Sequence, residues 1–247
     1  MTELDPAPNA DPDTPPPAAD DGLEAERRAL LEAALPHLAF DGWTWAALRQ
    51  AAEDLGRDPV EAETLFPGGP AELLSVYSRE ADLAMLAALE TQSLDAMRVR
   101  DRVALAIRTR LEQNAPHREA IRRGLSFLAL PANATLGPRL LARTVDAIWV
   151  AAGDTSADYN FYTKRGLLAG VYMATLLYWL EDTSEDHART WAFLERRLDS
   201  ALRLGGAVGR RLDWLTRLPD RLARQAPRRR PGLASRFGRD RGAGSQP

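Results

Sequence analysis

Apolar residues recur at helical spacing along most of the chain, and this pattern predicts an all-α protein. In the first such stretch, residues 23–40, Leu30, Leu31, Ala34 and Leu38 follow one another at steps that place them on one helix face. No stretch of the sequence has the strict alternation of apolar and polar residues that marks a half-buried strand. We therefore expect helices packed on helices, without a sheet.

Start and stop signals divide the pattern into separate helices. Thr44 is a good N-cap for a helix that ends near Gly56, and Asp58-Pro59 is typical of the next helix start. That short helix should end near Phe66, and Pro70 should begin a long one. Later helices are expected at about residues 99–114, 116–130, 136–152, 158–180 and 184–204, with Gly205-Gly206 as the last stop.

These elements suggest five segments. Residues 1–22 are rich in Pro, Ala and Asp and should form a disordered acidic arm. Residues 23–69 should form a helix-turn-helix-like head, and residues 70–206 a larger helical domain. An amphipathic helix is expected over residues 207–226, and a basic disordered tail over residues 227–247.

Composition gives little support to catalysis. The chain has no cysteine, and its three histidines are far apart in the sequence and outside any HExxH pattern. We therefore expect no catalytic residue, no metal site and no cofactor. The protein should not be an enzyme.

Charge is strongly polarised towards the C-terminus. After Leu202 the chain carries twelve arginines against three aspartates, although the net charge is −3. In the amphipathic segment, Leu212, Trp214, Leu215 and Leu218 could enter lipid head groups while basic residues such as Arg211 meet anionic lipid. Packing of this helix on the body or on a second copy, and binding to nucleic acid, remain alternatives.

Residues 166–180 are apolar on every side. Fifteen residues are too few for a membrane span, which needs about 20. A helix of this kind is central to a large core. Alternatively, Tyr172, Leu176 and Trp179, with Trp149 on the preceding helix, line an apolar cavity that binds lipid.

The segment before this helix combines aromatic and cationic residues. Tyr159, Phe161, Tyr162, Lys164 and Arg165 follow a turn rich in capping residues. The aromatics could simply be buried and the cations solvated. Exposed together, they would form a protein-binding patch.

The N-terminal part resembles the DNA-binding head of a TetR-type regulator. The order of helix, turn and short recognition helix is carried by GWTWAAL at 42–48, LG at 55–56, LF at 65–66 and LL at 73–74. The recognition position, however, carries Glu61 and Glu63 and no Lys or Arg. Because DNA affinity rests largely on neutralising phosphates, we expect no specific DNA binding. A ligand-responsive transcription regulator remains the alternative function.

A more specific resemblance is carried by the sequence DTSADYNFYTKR at residues 154–165, which is similar to the signature of the Coq-nine family of ubiquinone-biosynthesis accessory proteins. Phe161 stands where many relatives have Trp. The similarity continues in LAGVY at 168–172, DTS at 182–184, TWAFLERR at 190–197 and, less specifically, AALPH at 33–37.

The resemblance implies a TetR-like fold that binds an isoprenoid quinone or another lipid. It also implies pairing with the di-iron demethoxyubiquinone hydroxylase through the aromatic segment, and docking on a membrane surface. We expect a homodimer, since dimers are common among TetR-like chains. The acidic N-terminal segment suggests a bacterial cytoplasmic protein, peripheral on the inner membrane.

Overall fold

The computed structural model describes residues 19–94, 96–153 and 160–216 and confirms the all-α prediction. Side chains are described except in residues 19–21, 160–163 and 204–216. The helices are α1 (Ala19–Asp41), α2 (Trp45–Asp54), α3 (Pro59–Leu65), α4 (Gly69–Glu90), α5 (Val99–Gln113), α6 (Arg118–Leu128), α7 (Leu136–Ala151), α8 (Asn160–Glu181) and α9 (Ala188–Thr216).

The predicted caps of the short N-terminal helices are confirmed. The Thr44 hydroxyl accepts a hydrogen bond from the Ala47 amide at 3.2 Å, and the Asp58 carboxylate accepts one from the Val60 amide at 2.9 Å. Gly56, after α2, has φ +68°, a left-handed conformation that glycine adopts without strain. Local sequence therefore determines where α2 and α3 begin and end.

Three helix ends differ clearly from the sequence-based expectation. α9 begins at Ala188, after a short 3₁₀ segment at Glu185–His187, where a start at Ser184 was expected. α1 begins at Ala19 instead of Leu23. α9 stays helical through Gly205-Gly206 as far as Thr216, where a stop and a separate helix were expected. Glycine costs a helix interior about 1 kcal/mol relative to alanine, which weakens the helix without forbidding it.

The buried residues form two apolar clusters within the described part of the chain. One joins α1, α2, α3 and the start of α4, and includes Leu30, Leu48, Phe66 and Leu73. The other lies among the end of α4 and helices α5, α7, α8 and α9. Each amphipathic helix thus buries its apolar face, which is the main source of helix stability in proteins.

Trp43 links the N-terminal helices to α6. Its side chain is buried, and its indole N–H donates to the Ala120 carbonyl at 2.9 Å. The Trp43 ring also lies 5.7 Å from the ring of Tyr77 on α4. One side chain therefore positions α4 and α6 relative to α2.

The connection between α8 and α9 is organised by the buried carboxylate of Asp182. It accepts hydrogen bonds from the backbone N–H and hydroxyl of Ser184 and from those of Thr190. Burial alone would raise the pKa of Asp182, but the hydrogen bonds from Thr190 and Ser184 outweigh burial and hold that pKa well below its ordinary value. Asp182 is therefore an ionised acceptor that holds the start of α9 against the end of α8.

None of the helices described here combines the length and apolar composition that a membrane-crossing helix needs.

Gly69 begins α4 in a position that only glycine fits. Its φ is +62°, and a Cβ there would lie 2.5 Å from the Trp45 ring. The left-handed backbone costs a non-glycine residue about 1–2 kcal/mol, and overpacking adds about 1–3 kcal/mol. We expect Gly69→Ala to lower the free energy of unfolding by about 2–5 kcal/mol in urea denaturation.

Gly42→Ala is the matched control for this substitution. Gly42 also has a positive φ, +71°, but no atom lies within 4 Å of a Cβ built there. Gly42→Ala should therefore lower the free energy of unfolding only by the cost of the left-handed backbone, about 1–2 kcal/mol. Equal losses for the two variants would contradict the close packing of Gly69 on Trp45.

Candidate functional site

A cavity of 430 Å³ lies among helices α4, α5, α6, α7 and α8. This volume is within the range of about 300–1,000 Å³ that is usual for small-molecule sites. The surrounding helices are consecutive in the chain, so the cavity is built by the packing of the larger helical part.

Most of the cavity wall is apolar. The aliphatic lining comes chiefly from α6, α7 and α8, namely Ile121, Leu125, Leu128, Leu140, Leu141, Met173 and Leu176. Gly124 on α6 and Gly137 on α7 also line the cavity. Such a wall favours an apolar ligand, because burial stabilises by about 25 cal/mol per Å² of apolar surface.

Arg110 is one polar residue of the wall, and it belongs to a buried ion pair. The Arg110 Nε–H on α5 donates to the Asp82 carboxylate on α4 at 2.7 Å, and both residues are 7% exposed. A second Arg110 nitrogen, Nη1, donates to the Tyr172 hydroxyl on α8 at 2.6 Å. The Thr144 hydroxyl on α7 donates to Asp82 at 3.0 Å. Four helices thus meet at one guanidinium and one carboxylate.

A second polar pair lies beside the first. The Tyr77 hydroxyl donates to the Asn114 side-chain carbonyl at 2.6 Å, and the Asn114 amide donates to the Arg110 carbonyl at 2.7 Å. Both residues contribute to the cavity wall. The hydroxyl hydrogen of Tyr77 is therefore already used within the protein.

The electrostatic environment keeps this cluster in a defined protonation state. Burial raises the pKa of the Tyr172 hydroxyl, so this group is a neutral phenol. Burial works to lower the pKa of Arg110, but the interactions with Tyr172 and Asp82 outweigh it, and the net pKa is raised. Arg110 consequently remains a charged donor inside the protein.

Two of the four residues predicted to bind lipid line this cavity. Tyr172 and Leu176 are on its wall. Trp179, one turn further along α8, is fully buried in the core, where its ring lies 5.3 Å from the Arg118 guanidinium. Trp149 is partly buried on α7, with its ring 6.0 Å from the Lys164 ammonium. Among the described residues, therefore, the structure does not bring Trp149 and Trp179 to the cavity wall.

The predicted partner-binding patch is only partly described. Tyr159 lies outside the described residues, as do the side chains of Phe161 and Tyr162 at the start of α8. Lys164 approaches Trp149, and Arg165 donates to the Asp146 carboxylate on α7. The start of α8 is thus connected to α7 through two cationic side chains.

The predicted membrane-binding residues cannot be placed by their side chains. Arg211, Leu212, Trp214 and Leu215 lie on the part of α9 whose side chains are outside the described residues. Leu218 lies outside the described residues altogether.

The helix-turn-helix-like head pairs its basic residues with acids. Arg49 on α2 contacts Glu63 on α3 at 3.2 Å, and Arg57 contacts Glu61 at 3.6 Å and Glu26 at 3.1 Å. Both glutamates on α3 are therefore partners of the arginines that could otherwise meet phosphates. These two arginines and three glutamates therefore give the surface at α3 no excess of positive charge.

No group of three or more His, Asp or Glu residues that could bind a metal occurs in the part of the chain that the structure describes.

Sequence reasoning missed the buried ion pair, although a signal was present. On α4, Asp82 falls at intervals of three or four in a mainly apolar series on the buried face, Leu74, Ser78, Met85 and Leu89. On α5, Arg110 follows Val103 and Ala106 in the same way. An acid and a base, each on the buried face of its helix, are best satisfied by pairing with one another.

Residues 134–205 match the COQ9 family model. Over 193 residues the chain is 35% identical to the ubiquinone biosynthesis protein COQ9, mitochondrial, of Rattus norvegicus, covering 74% of this chain and 60% of the relative. For the protein of the same name from Homo sapiens, the identity is 34% over 212 residues, covering 78% and 65%. The chain thus spans less than two thirds of the length of these relatives.

A relative from Drosophila melanogaster is 33% identical over 187 residues, covering 74% of this chain and 57% of the relative. Its name also describes a mitochondrial COQ9 protein. These names contradict the expected bacterial cytoplasmic location, which was wrong. That expectation used the composition of residues 1–22, and an acidic segment does not determine the compartment in which a folded protein works.

A solved TetR transcriptional regulator from Nitrosomonas europaea has a similar structure. The TM-score is 0.59 at 23% sequence identity, covering 72% of this chain and 98% of the regulator. The likeness confirms the TetR-like fold predicted from the head sequence. It concerns the fold alone, because one fold serves many functions.

The buried pair makes a prediction about stability. We expect Asp82→Ala to lower the free energy of unfolding by about 3–5 kcal/mol, because Arg110 would remain charged and buried without its carboxylate. Replacing both residues, with Asp82→Leu and Arg110→Met, should recover much of this loss. Equilibrium denaturation in urea measures both variants.

Glu112→Ala is the control for loss of an ion pair in general. Glu112 pairs with Arg108 on the exposed side of α5, where both side chains are nearly half exposed. Its removal should change the free energy of unfolding by less than about 1 kcal/mol. A loss at Asp82 no larger than this would mean that solvent reaches the Arg110–Asp82 pair.

Proposed function

We propose that this chain, which is similar to COQ9 proteins over about three quarters of its length, is a lipid-binding accessory protein of ubiquinone biosynthesis. It would extract or present a polyprenyl-quinone intermediate to the di-iron demethoxyubiquinone hydroxylase. The cavity among α4–α8 is the observation that carries the proposal. Its wall is mainly aliphatic with a few convergent polar groups, which is the usual chemistry of a site for an amphipathic small molecule.

An isoprenoid quinone needs such a carrier for a physical reason. Its tail is nearly insoluble in water, while its ring carries oxygens that form hydrogen bonds. An apolar wall shields the tail from water, and polar groups can satisfy the ring. The 430 Å³ cavity accommodates a part of such a molecule, so a long tail would extend beyond it.

Pairing with the hydroxylase is proposed for the segment that contains Tyr159, Phe161, Tyr162, Lys164 and Arg165. The support comes from sequence, since aromatic residues beside cations are enriched in binding hot spots. Lys164 and Arg165 are half-buried and lie against α7, next to Trp149 and Asp146. A partner bound there would contact two helices of the cavity wall, α7 and α8.

Membrane docking is proposed for Arg211, Leu212, Trp214, Leu215 and Leu218. The basis is the amphipathic sequence pattern, in which basic residues alternate with large apolar ones. Each basic residue near an anionic surface contributes about 1 kcal/mol. A carrier docked in this way would take up its ligand directly from the bilayer.

A transcription regulator is the competing function, and the charges of the head argue against it. Glu61 and Glu63 lie on α3 and pair with Arg57 and Arg49. Binding to DNA would require these pairs to break and would bring two carboxylates towards phosphates. We therefore propose no specific DNA binding.

A catalytic role has no support from the comparisons, since none of the cited names describes an enzyme.

We also propose that the protein forms a homodimer. Chains with a TetR-like fold commonly dimerise, and this chain has that fold. Leu202 on α9, which is 59% exposed, is an apolar residue available to a second copy.

Filling the cavity should remove the lipid. We expect Met173→Trp, a substitution on the α8 wall, to reduce the isoprenoid quinones or precursors that mass spectrometry detects in an organic extract of the gently purified protein. The reduction should be at least severalfold, because the indole takes up space in the cavity that the ligand occupies.

Leu177→Trp is the control, since Leu177 lies one turn further along the same helix and is 52% exposed. This variant should retain the wild-type lipid content. Absence of isoprenoids from the wild-type extract, combined with DNA binding that resists high salt, would overturn the carrier proposal in favour of the regulator.

The partner-binding segment makes a separate prediction. Tyr162→Lys should weaken binding to the hydroxylase by at least about tenfold in a direct binding assay, because a charged side chain would replace an aromatic anchor. The lipid content should not change. Leu130→Lys, at an exposed apolar residue after α6, is the control and should bind normally. Normal hydroxylase binding by Tyr162→Lys would show that the segment is not the partner surface.

A further inference from the structure

The polar part of the cavity wall contains more hydrogen-bond donors than acceptors. Arginine can only donate, so the Tyr172 oxygen is the acceptor in its 2.6 Å contact with Arg110 Nη1. The phenolic hydrogen of Tyr172 is then left over. Among the described residues, none accepts a hydrogen bond from it, although Tyr172 is only 4% exposed. A buried donor without an acceptor is unfavourable, and a ligand atom can supply what is missing.

The remaining guanidinium nitrogen of Arg110 is also weakly bonded. Its Nη2 lies 3.4 Å from the Ser78 carbonyl, the Ser78 hydroxyl and the Thr144 hydroxyl. Good N–H···O bonds are about 2.9–3.0 Å long, so all three contacts are weak. Nη2 and the Tyr172 hydroxyl belong to residues that both line the cavity. Two donors with unused capacity therefore border the same space.

Resting on the proposed function, we infer that Tyr172 and Arg110 form a head-group subsite, in which the Tyr172 hydroxyl and Arg110 Nη2 donate to an oxygen of the ligand. The subsite selects a lipid that carries an acceptor oxygen on its head group, such as a quinone carbonyl, over a hydrocarbon of similar length. The apolar wall then holds the first part of the tail.

The charge of the cluster matches a neutral acceptor. Asp82 neutralises Arg110 and also accepts the hydrogen bond from Thr144. A cationic head group would meet donors only, and an anion would gain little from a pair whose charges cancel. A neutral carbonyl meets neither difficulty. The hydrogen bond that Arg110 donates to the Tyr172 oxygen also polarises the Tyr172 O–H. The hydrogen bond from Tyr172 to the ligand becomes stronger as a result.

Tyr172 and Arg110 are buried between α4, α5, α7 and α8. A head group bound to them would therefore lie beside all four of these helices.

The test compares the affinities of two probes, a short-tailed ubiquinone and an isoprenoid hydrocarbon of similar length, for the full chain. The wild-type protein should prefer the quinone. Tyr172→Phe keeps the ring but removes the hydroxyl, and it should reduce this preference by about tenfold while leaving the affinity for the hydrocarbon unchanged. The ratio of the two affinities separates recognition of the head group from general damage to the cavity.

Tyr178→Phe is the control, because it removes the same hydroxyl from a residue of α8 that is 36% exposed. It should keep the wild-type preference. A preference unchanged in Tyr172→Phe, or equal weakening of both probes, would overturn the subsite. If the wild-type protein binds neither probe, the proposed carrier function itself fails, which is a different result.

Two further measurements complete the test. If Tyr172→Phe does not fold, the infrared spectrum of the short-tailed ubiquinone bound to the wild-type protein decides. A hydrogen-bonded carbonyl stretches at lower frequency than a free one, and an unshifted band would overturn the subsite. Palmitate tests another source of an acceptor oxygen. If it binds as tightly as the quinone and loses as much affinity in Tyr172→Phe, the quinone assignment is wrong and the subsite serves a fatty acid.

Discussion

The ion pair between Arg110 and Asp82 is the interaction on which the arrangement of the larger helical part depends. A guanidinium and a carboxylate in the interior must satisfy one another, because either one left unpaired would be strongly destabilising. Hydrogen bonds from Arg110 to Tyr172 and from Thr144 to Asp82 extend this requirement to four helices. A shift of any one of these helices along its axis would break a buried contact. The position of the cavity follows from the same constraint, since all four residues take part in or adjoin its wall.

The cavity combines an aliphatic wall with buried hydrogen-bond donors. Aliphatic residues of α6, α7 and α8 provide a surface that water leaves readily, while the Arg110–Tyr172 pair provides directional donors. A hydrocarbon would fit the aliphatic wall only, and a soluble polar molecule would fit the hydrogen-bond donors only. An amphipathic ligand satisfies both, which agrees with the similarity of the chain to proteins named for ubiquinone biosynthesis.

The N-terminal helices α1–α3 are defined by local contacts, and the arginines on and beside α2 and α3 pair with acids. The caps at Thr44 and Asp58, the left-handed Gly56 and the close contact of Gly69 with Trp45 define the short helices. None of these features requires DNA. The residues that would meet phosphates are instead paired, as in Arg49–Glu63. Trp43, which precedes α2, connects the N-terminal helices to α6 through its hydrogen bond to the Ala120 carbonyl.

The sequence by itself determined the helices, because their signals are local. Apolar periodicity, the Thr44 and Asp58 caps and the breaks at glycine and proline all act within a few residues, and they predicted the all-α fold and most helix limits. The exception at Gly205-Gly206 reflects the modest cost of glycine in a helix. The apolar stretch at residues 166–180 likewise pointed to Tyr172 and Leu176. Only the tertiary structure decided which face of α8 borders the cavity, placing Trp179 in the core instead. It alone paired Asp82 with Arg110 and aimed Arg110 at Tyr172, because these contacts join helices that are distant in the sequence, and periodicity along one helix does not specify its partner.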